Sequence, residues 1–267
     1  MRLISSAVLF ILFLAIFSGC SFGIIQSSQP SEKAVKKVQK ENTHSNQKSE
    51  SQTEDTPSVK VASQKNEDGL PVVANPDSVS VLVNKQYALP DNYAPKDLVY
   101  PNVPFLFQNK IEKRQLRKPA ARALEKLFAG AKKDGINLAG VSGYRSHVTQ
   151  TVLFNNYAKK DGKEKALMYC ALPGTSEHET GLSIDVSGSD GKYAATTAFN
   201  HTKEAEWLSK HASDYGFIVR YPEGKEKITG YEFEAWHIRY VGVAISKELA
   251  KHGWTLEEYY HTVPVSK

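Results

Sequence analysis

The stretch SEHETGLSIDV, Ser176 to Val186, sets the hardest condition on any fold of this chain. Ile184 and Val186 read as the buried side of a short strand, and Asp185 stands between them. An unpaired carboxylate in such a place is costly. His178, seven residues earlier, is a possible partner through a shared cation. In an extended chain the two would lie about 23 Å apart, at roughly 3.3 Å per residue. Two ligands of one zinc must each come within about 2 Å of it. The chain must therefore fold back between them, and Glu179-Thr180-Gly181 is the place for that turn. Taken alone, the pattern fits a metal site and equally an unrelated loop histidine and strand-end aspartate.

A second block decides between them. Phe233 to Gly242 reads FEAWHIRYVG, and it supplies His237 with a carboxylate, Glu234, three residues before it. A hydrolytic zinc needs three protein ligands, an open position and a base. His178, Asp185 and His237 fill the ligand roles and Glu234 the base. No histidine directly precedes Glu234, so this is not the helical H-E-x-x-H arrangement. The apolar residues after His237 place the block at a loop-to-strand junction. His147, His201, His211, His252 and His261 read as surface or helix histidines. Glu177 and Glu179 read either as partners of the ligands or as solvated turn acids.

Periodicity places the remaining elements. Val79 to Val83 alternates like a strand. Gln115 to Lys133 carries Leu116, Ala120, Leu124, Leu127, Phe128 and Ala131 on one helical face, with Gly135 as its stop. Gly140 to Arg145 is a short strand, Ser146 caps a helix over Thr149 to Lys160, and another helix covers Lys163 to Ala171. A helix from Lys203 to Tyr215, a strand from Phe217 to Tyr221, and two helices, Ala244 to His252 and Thr255 to His261, complete the set. Helices and strands mix without a βαβ rhythm, which predicts an α+β fold.

The N-terminus bears on location. Arg2 precedes an apolar run from Ala7 to Phe17, of signal-peptide rather than membrane-span length. Phe17-Ser18-Gly19-Cys20 resembles the lipobox of bacterial lipoproteins, although an aliphatic residue is usual at the Phe17 position. A plain secretory signal is the alternative. Residues 21 to 69 are Ser, Gln, Lys, Glu, Asn and Thr with almost no aromatics, which predicts a flexible tether. As a random coil, roughly 50 residues span about 40 Å. The expected organisation is a signal peptide at 1–19, a tether lipid-anchored through Cys20 at 20–70, and one domain at 71–267. With Cys20 acylated, Cys170 is the only thiol left, so no internal disulfide forms; it reads as a buried, inert side chain. The net charge of +5 comes without a dense Lys/Arg stripe, so a nucleic-acid partner is not expected.

The ordered motifs resemble the VanY-type D-alanyl-D-alanine carboxypeptidases, zinc DD-peptidases of peptidoglycan. They run from Leu82-Val83-Asn84-Lys85 and Tyr93 to Leu98, through Ser142-Gly143-Tyr144-Arg145-Ser146 with Gln150, to Pro173-Gly174-Thr175-Ser176-Glu177-His178, Gly181 and Asp185. Tyr215-Gly216-Phe217, Arg220-Tyr221-Pro222 and the Glu234 to Gly242 block end the series. The resemblance implies a small, mainly antiparallel sheet flanked by helices. It implies Zn2+ on His178, Asp185 and His237, with Glu234 as the catalytic base. It implies Arg145 at the oxyanion, and Ser176 and Gln150 lining the substrate pocket. The expected activity is removal of the terminal D-alanine of a peptidoglycan stem peptide, with the D,D-carboxypeptidase reaction favoured. L,D-carboxypeptidase, endopeptidase and a non-catalytic, zinc-containing wall-binding domain are the alternatives. The expected partners are stem peptides and, through Cys20, the outer face of the cell membrane, with the protein a monomer.

Overall fold

A computed structural model describes residues 57–262. The expected signal peptide, Cys20 and most of the tether lie outside the described residues. In chain order the elements are β1 (Val61–Lys65), β2 (Pro71–Val73), β3 (Leu98–Val99), β4 (Leu116–Arg117), α1 (Lys118–Lys133), β5 (Leu138–Ser142), α2 (His147–Asp161) and α3 (Lys163–Tyr169). They continue with β6 (Ser183–Gly188), α4 (Lys203–His211), β7 (Phe217–Tyr221), α5 (Glu226–Thr229), β8 (Glu234–Tyr240), α6 (Val243–His252) and α7 (Leu256–Tyr259). Among the described residues no helix is long and apolar enough to cross a membrane.

The centre is a four-stranded antiparallel sheet in the order β5-β6-β8-β7. The fold is α+β, as the mixed pattern predicts. On one face, Ile184, Val186 and Ile238 are fully buried and pack with Leu124, Leu127 and Phe128 of α1. α1 starts with a proline in its first turn and stops just before Gly135, whose φ of 78° suits a residue without Cβ. The opposite face of β6 and β8 carries the polar residues. Strand alternation does this: Asp185 points away from the core that Ile184 and Val186 enter.

Two expectations are corrected. Val79 to Val83 forms no strand. Its carbonyls are taken by side chains instead: Arg239 Nη2 donates to Val79 O at 3.2 Å and Val81 O at 2.7 Å, and Tyr260 donates to Ser80 O at 2.8 Å. Val81 and Val83 are buried and Val79 half-buried, but the ladder is replaced. Regular structure also begins ahead of residue 71. β1 pairs antiparallel with β2 through a turn in which Leu70 N donates to Asn66 Oδ1 and Gly69 takes a φ of 79°. β1 is almost wholly exposed. It rests on backbone bonds rather than apolar burial, so hydrophobic patterning carries no sign of it.

The fold-back inferred between His178 and Asp185 is a 3-10 turn, Glu177–Thr180, ended by Gly181 in the left-handed region at φ 66°. A Cβ there would sit 3.0 Å from Arg117 Cγ and from Leu98 Cδ2. Gly181→Ala thus adds left-handed strain to a tight contact, and a loss of about 1–3 kcal/mol is expected. Urea unfolding measures it; an unchanged midpoint would show that the turn does not need glycine.

Candidate metal centre and active site

The register of the sheet builds the site. Asp185 of β6 lies directly opposite His237 of β8. The turn before β6 brings His178 to the same place. One ligand atom from each of the three lies within 4.8 Å of the others. His178 Nδ1 is 2.8 Å from Gly143 O, an acceptor only, so Nδ1 carries the proton and Nε2 turns its lone pair toward Asp185 Oδ2 at 3.4 Å. His237 places Nδ1 3.0 Å from Asp185 Oδ1 and Nε2 3.4 Å from Glu177 Oε2. With Nε2–H donated to Glu177, Nδ1 is the nitrogen left for a metal. Burial disfavours the imidazolium, yet the bonds to Asp185 and Glu177 outweigh it and raise the His237 pKa to about 9. Asp185 is likewise held ionised against burial by the two histidines. This field favours a cation, and two imidazoles with one carboxylate are a donor set that suits zinc.

Glu177 is fully buried beside this centre. Its Oε1 accepts from Arg220 Nε and from Arg239 Nη1, each at 2.7 Å, and its Oε2 accepts from Ser183 Oγ at 2.9 Å. Arg220 also makes a two-pronged bond to Glu257 of α7, at 2.9 and 2.6 Å, and Asn84 donates to the same carboxylate at 3.0 Å. Burial alone would neutralise Glu177; the two guanidiniums hold its pKa well below the usual carboxylate range. Glu179 is buried as well, accepting from Gly174 N at 2.8 Å and contacting His147 Nδ1 at 2.9 Å. Glu177 supports a metal-binding histidine, Glu179 ties its turn to Gly174 and His147, and neither is a solvated turn residue. The signal that could have found Glu177 is Arg220 and Arg239: two charges on strands of the core require a buried counter-charge.

A cavity of about 500 Å³ opens over the three ligands, lined also by Arg145, Ser176 and Glu234. Glu234 and His237 are three apart on one strand, so regular alternation would point them to opposite faces. β8 is irregular here: Val219 pairs with Ile238, but Tyr221 pairs with Glu234. The bulge turns both into the cavity. Gln150 departs from expectation. It is fully buried and does not line the cavity; its Oε1 accepts from Arg145 Nη1 at 2.8 Å and its Nε2 donates to Ala171 O at 2.7 Å. It fixes the arginine from behind. Cys170 is buried at the cavity edge, where burial pushes its thiol pKa up, in keeping with an inert side chain. Among the described residues no further histidine joins the metal cluster.

The family described as "VanY: D-alanyl-D-alanine carboxypeptidase" matches residues 113–243. A protein of Bacillus subtilis (strain 168) described as "Putative carboxypeptidase YodJ" is 50% identical over 196 residues, 73% of this chain and 72% of that protein. The chain belongs to the VanY D-alanyl-D-alanine carboxypeptidase family. The LdcB LD-carboxypeptidase structure is 48% identical, with a TM-score of 0.72 over 77% of this chain and 94% of that one. The D,D-pentapeptidase VanY of a VanB-type vancomycin-resistance cassette, solved with Zn(II), is 29% identical, with a TM-score of 0.55 over 68% and 98%. The zinc of that relative agrees with the donor set of His178, Asp185 and His237. The protein is a zinc carboxypeptidase of this family, acting on peptidoglycan peptides.

Burial, aided by Asp185 and Glu232, raises the Glu234 pKa to about 7. A carboxyl raised in the folded state favours the fold while protonated, and that contribution is lost as pH rises from about 4.5 through 7. In metal-free protein, Glu234→Gln is therefore expected to match wild type near pH 4.5 and to exceed it by about 1–3 kcal/mol at pH 8. Urea unfolding in chelator checks this; a difference that does not vary with pH would contradict it.

Proposed function

We propose that this enzyme is an L,D-carboxypeptidase that removes the fourth residue, D-alanine, from peptidoglycan tetrapeptide stems. The observation that carries this is the gradient of likeness: 48% identity and a TM-score of 0.72 to the LD-carboxypeptidase LdcB, against 29% and 0.55 to the D,D-pentapeptidase VanY. The sequence alone favoured the D,D reaction, and the family description supports that as the second reading.

The side chains divide the work. Zinc, held by His178, Asp185 and His237, would supply Lewis-acid polarisation of the scissile carbonyl and acidify water. Glu234, in the same cavity, takes the proton of the attacking water and returns one to the leaving amine. Arg145 is the one arginine or lysine lining the cavity, and it faces the charge that develops on the carbonyl oxygen. Gln150 holds that guanidinium in place, and Ser176 offers its hydroxyl to the substrate on the same wall. The domain acts outside the cell, monomeric, on a tether acylated at Cys20.

Incubation with defined tetrapeptide and pentapeptide stems, with released amino acid identified by mass spectrometry, tests the substrate. D-Alanine is expected from the tetrapeptide; release from the pentapeptide alone would establish the D,D reaction instead. Glu234→Ala is expected to lower turnover by about 10²–10⁴-fold with zinc still bound. Labelled palmitate is expected in the wild-type protein and absent from Cys20→Ala; equal labelling would remove the anchor from the account.

A further inference from the structure

Glu234 is the first residue of β8, and it stands where the sheet gives that strand least support. The ladder between β6 and β8 ends at the pair Asp185–His237, so Glu234 to Trp236 run on past their β6 neighbour. On the other side the β7 ladder is irregular over the same stretch, between the Val219–Ile238 pair and the Tyr221–Glu234 pair. A strand end with one free edge and a bulge is loosely held, and the direction of its side chains is set by whatever else grips the backbone.

Asn200 supplies that grip. Its Nδ2 donates to Phe233 O at 3.0 Å, and its Oδ1 accepts from Ala235 N at 3.0 Å. Its amide thus takes the two groups that a neighbouring antiparallel strand would take on either side of Glu234. A carbonyl only accepts and a peptide N–H only donates, so the orientation of the Asn200 amide is fixed by these two bonds. Asn200 is anchored in turn. It lies in a 3-10 turn, Thr197–His201, between Phe199 of the main core and Thr202, whose hydroxyl oxygen accepts from Ala205 N at 3.2 Å at the start of α4.

Strand alternation puts this clamp behind the reacting groups. Glu232, Glu234 and Trp236 line the catalytic cavity, whereas Phe233 and Ala235 line a separate cavity of about 580 Å³ together with Asn200. Asn200 does not line the catalytic cavity, so it holds the wall from which Glu234 projects without meeting the substrate.

We propose that Asn200 is the positioning residue of the catalytic base: its amide fixes the β8 backbone on both sides of Glu234 and so aims the carboxylate at the water it deprotonates. The inference rests on the carboxypeptidase reading above, with Glu234 as its base. It accounts for a base held steady on an irregular strand end, beside ligands that a regular ladder holds.

The test uses Asn200→Ala, which removes both bonds, and Asn200→Asp, which keeps the acceptor for Ala235 N but has no donor for Phe233 O. On the stem peptide that the wild type cleaves, Asn200→Ala is expected to lower kcat by about 10- to 100-fold while KM stays within about 2-fold. Asn200→Asp, which loses one bond, is expected to lower kcat by about 3- to 10-fold, and it carries the same comparison if Asn200→Ala does not fold. Zinc content is expected to equal wild type, since His178, Asp185 and His237 lie outside the clamp. In the Glu234→Ala background, either change is expected to bring no further loss, because the group it aims is gone. Hydrogen exchange at the Ala235 amide is expected to quicken in Asn200→Ala and to stay near wild type in Asn200→Asp. A raised KM with kcat kept, a loss of zinc, an equal further loss in the Glu234→Ala background, or unchanged exchange in Asn200→Ala would each overturn the proposal. A wild type that releases no amino acid from any stem would overturn the carboxypeptidase reading and this inference with it. An active wild type with kcat unchanged in both variants would overturn this inference alone.

Discussion

A single carboxylate, Glu177, ties the metal centre to the rest of the fold. It has no contact with solvent, and it is tenable there only because Arg220 and Arg239 meet the same oxygen at 2.7 Å each. Removing one partner from such a buried set typically costs about 3–5 kcal/mol, because a charge is stranded. The network reaches outward in three directions. Arg239 gathers the carbonyls of Val79 and Val81, Arg220 grips Glu257 of α7, and Glu257 takes a bond from Asn84. Inward, Glu177 Oε2 faces His237 Nε2. The orientation of one metal-binding imidazole is thereby tied to segments more than 150 residues apart.

The site itself needs two departures from regular structure. Gly181 reverses the chain so that His178 can meet Asp185, and the bulge in β8 brings Glu234 round to the side of His237. Between them the antiparallel register does the rest, setting Asp185 opposite His237 and Ile184 opposite Ile238. One face of the same two strands thus builds the core and the other the cavity. The ligands are fixed by strands rather than by a loop, and their outer nitrogens are held by Gly143 O and Glu177. Such support holds a site in shape.

Much of this was legible in the sequence, for stated reasons. The ligands are rare residue types in apolar strands, so Asp185 and His237 declared themselves, and the distance between His178 and Asp185 required the turn. α1 and the Ser146 cap followed from periodicity and capping chemistry, and Thr149 N does donate to Ser146 Oγ. What could not be read depends on contacts distant in sequence. Glu177 and Glu179 look like turn acids until Arg220, Arg239 and His147 arrive from elsewhere. Val79 to Val83 has the pattern of a strand but gives its carbonyls to side chains. Gln150 belongs to the site, yet only the position of Arg145 shows that it stands behind the cavity wall.

The central claim is that His178, Asp185 and His237 hold one zinc and leave room for substrate. Zinc K-edge X-ray absorption on the metal-loaded protein tests it most directly. Two imidazole nitrogens and oxygen donors, with no sulfur, are expected. A sulfur scatterer at about 2.3 Å, which would bring Cys170 into the coordination, or a third imidazole would contradict the arrangement described.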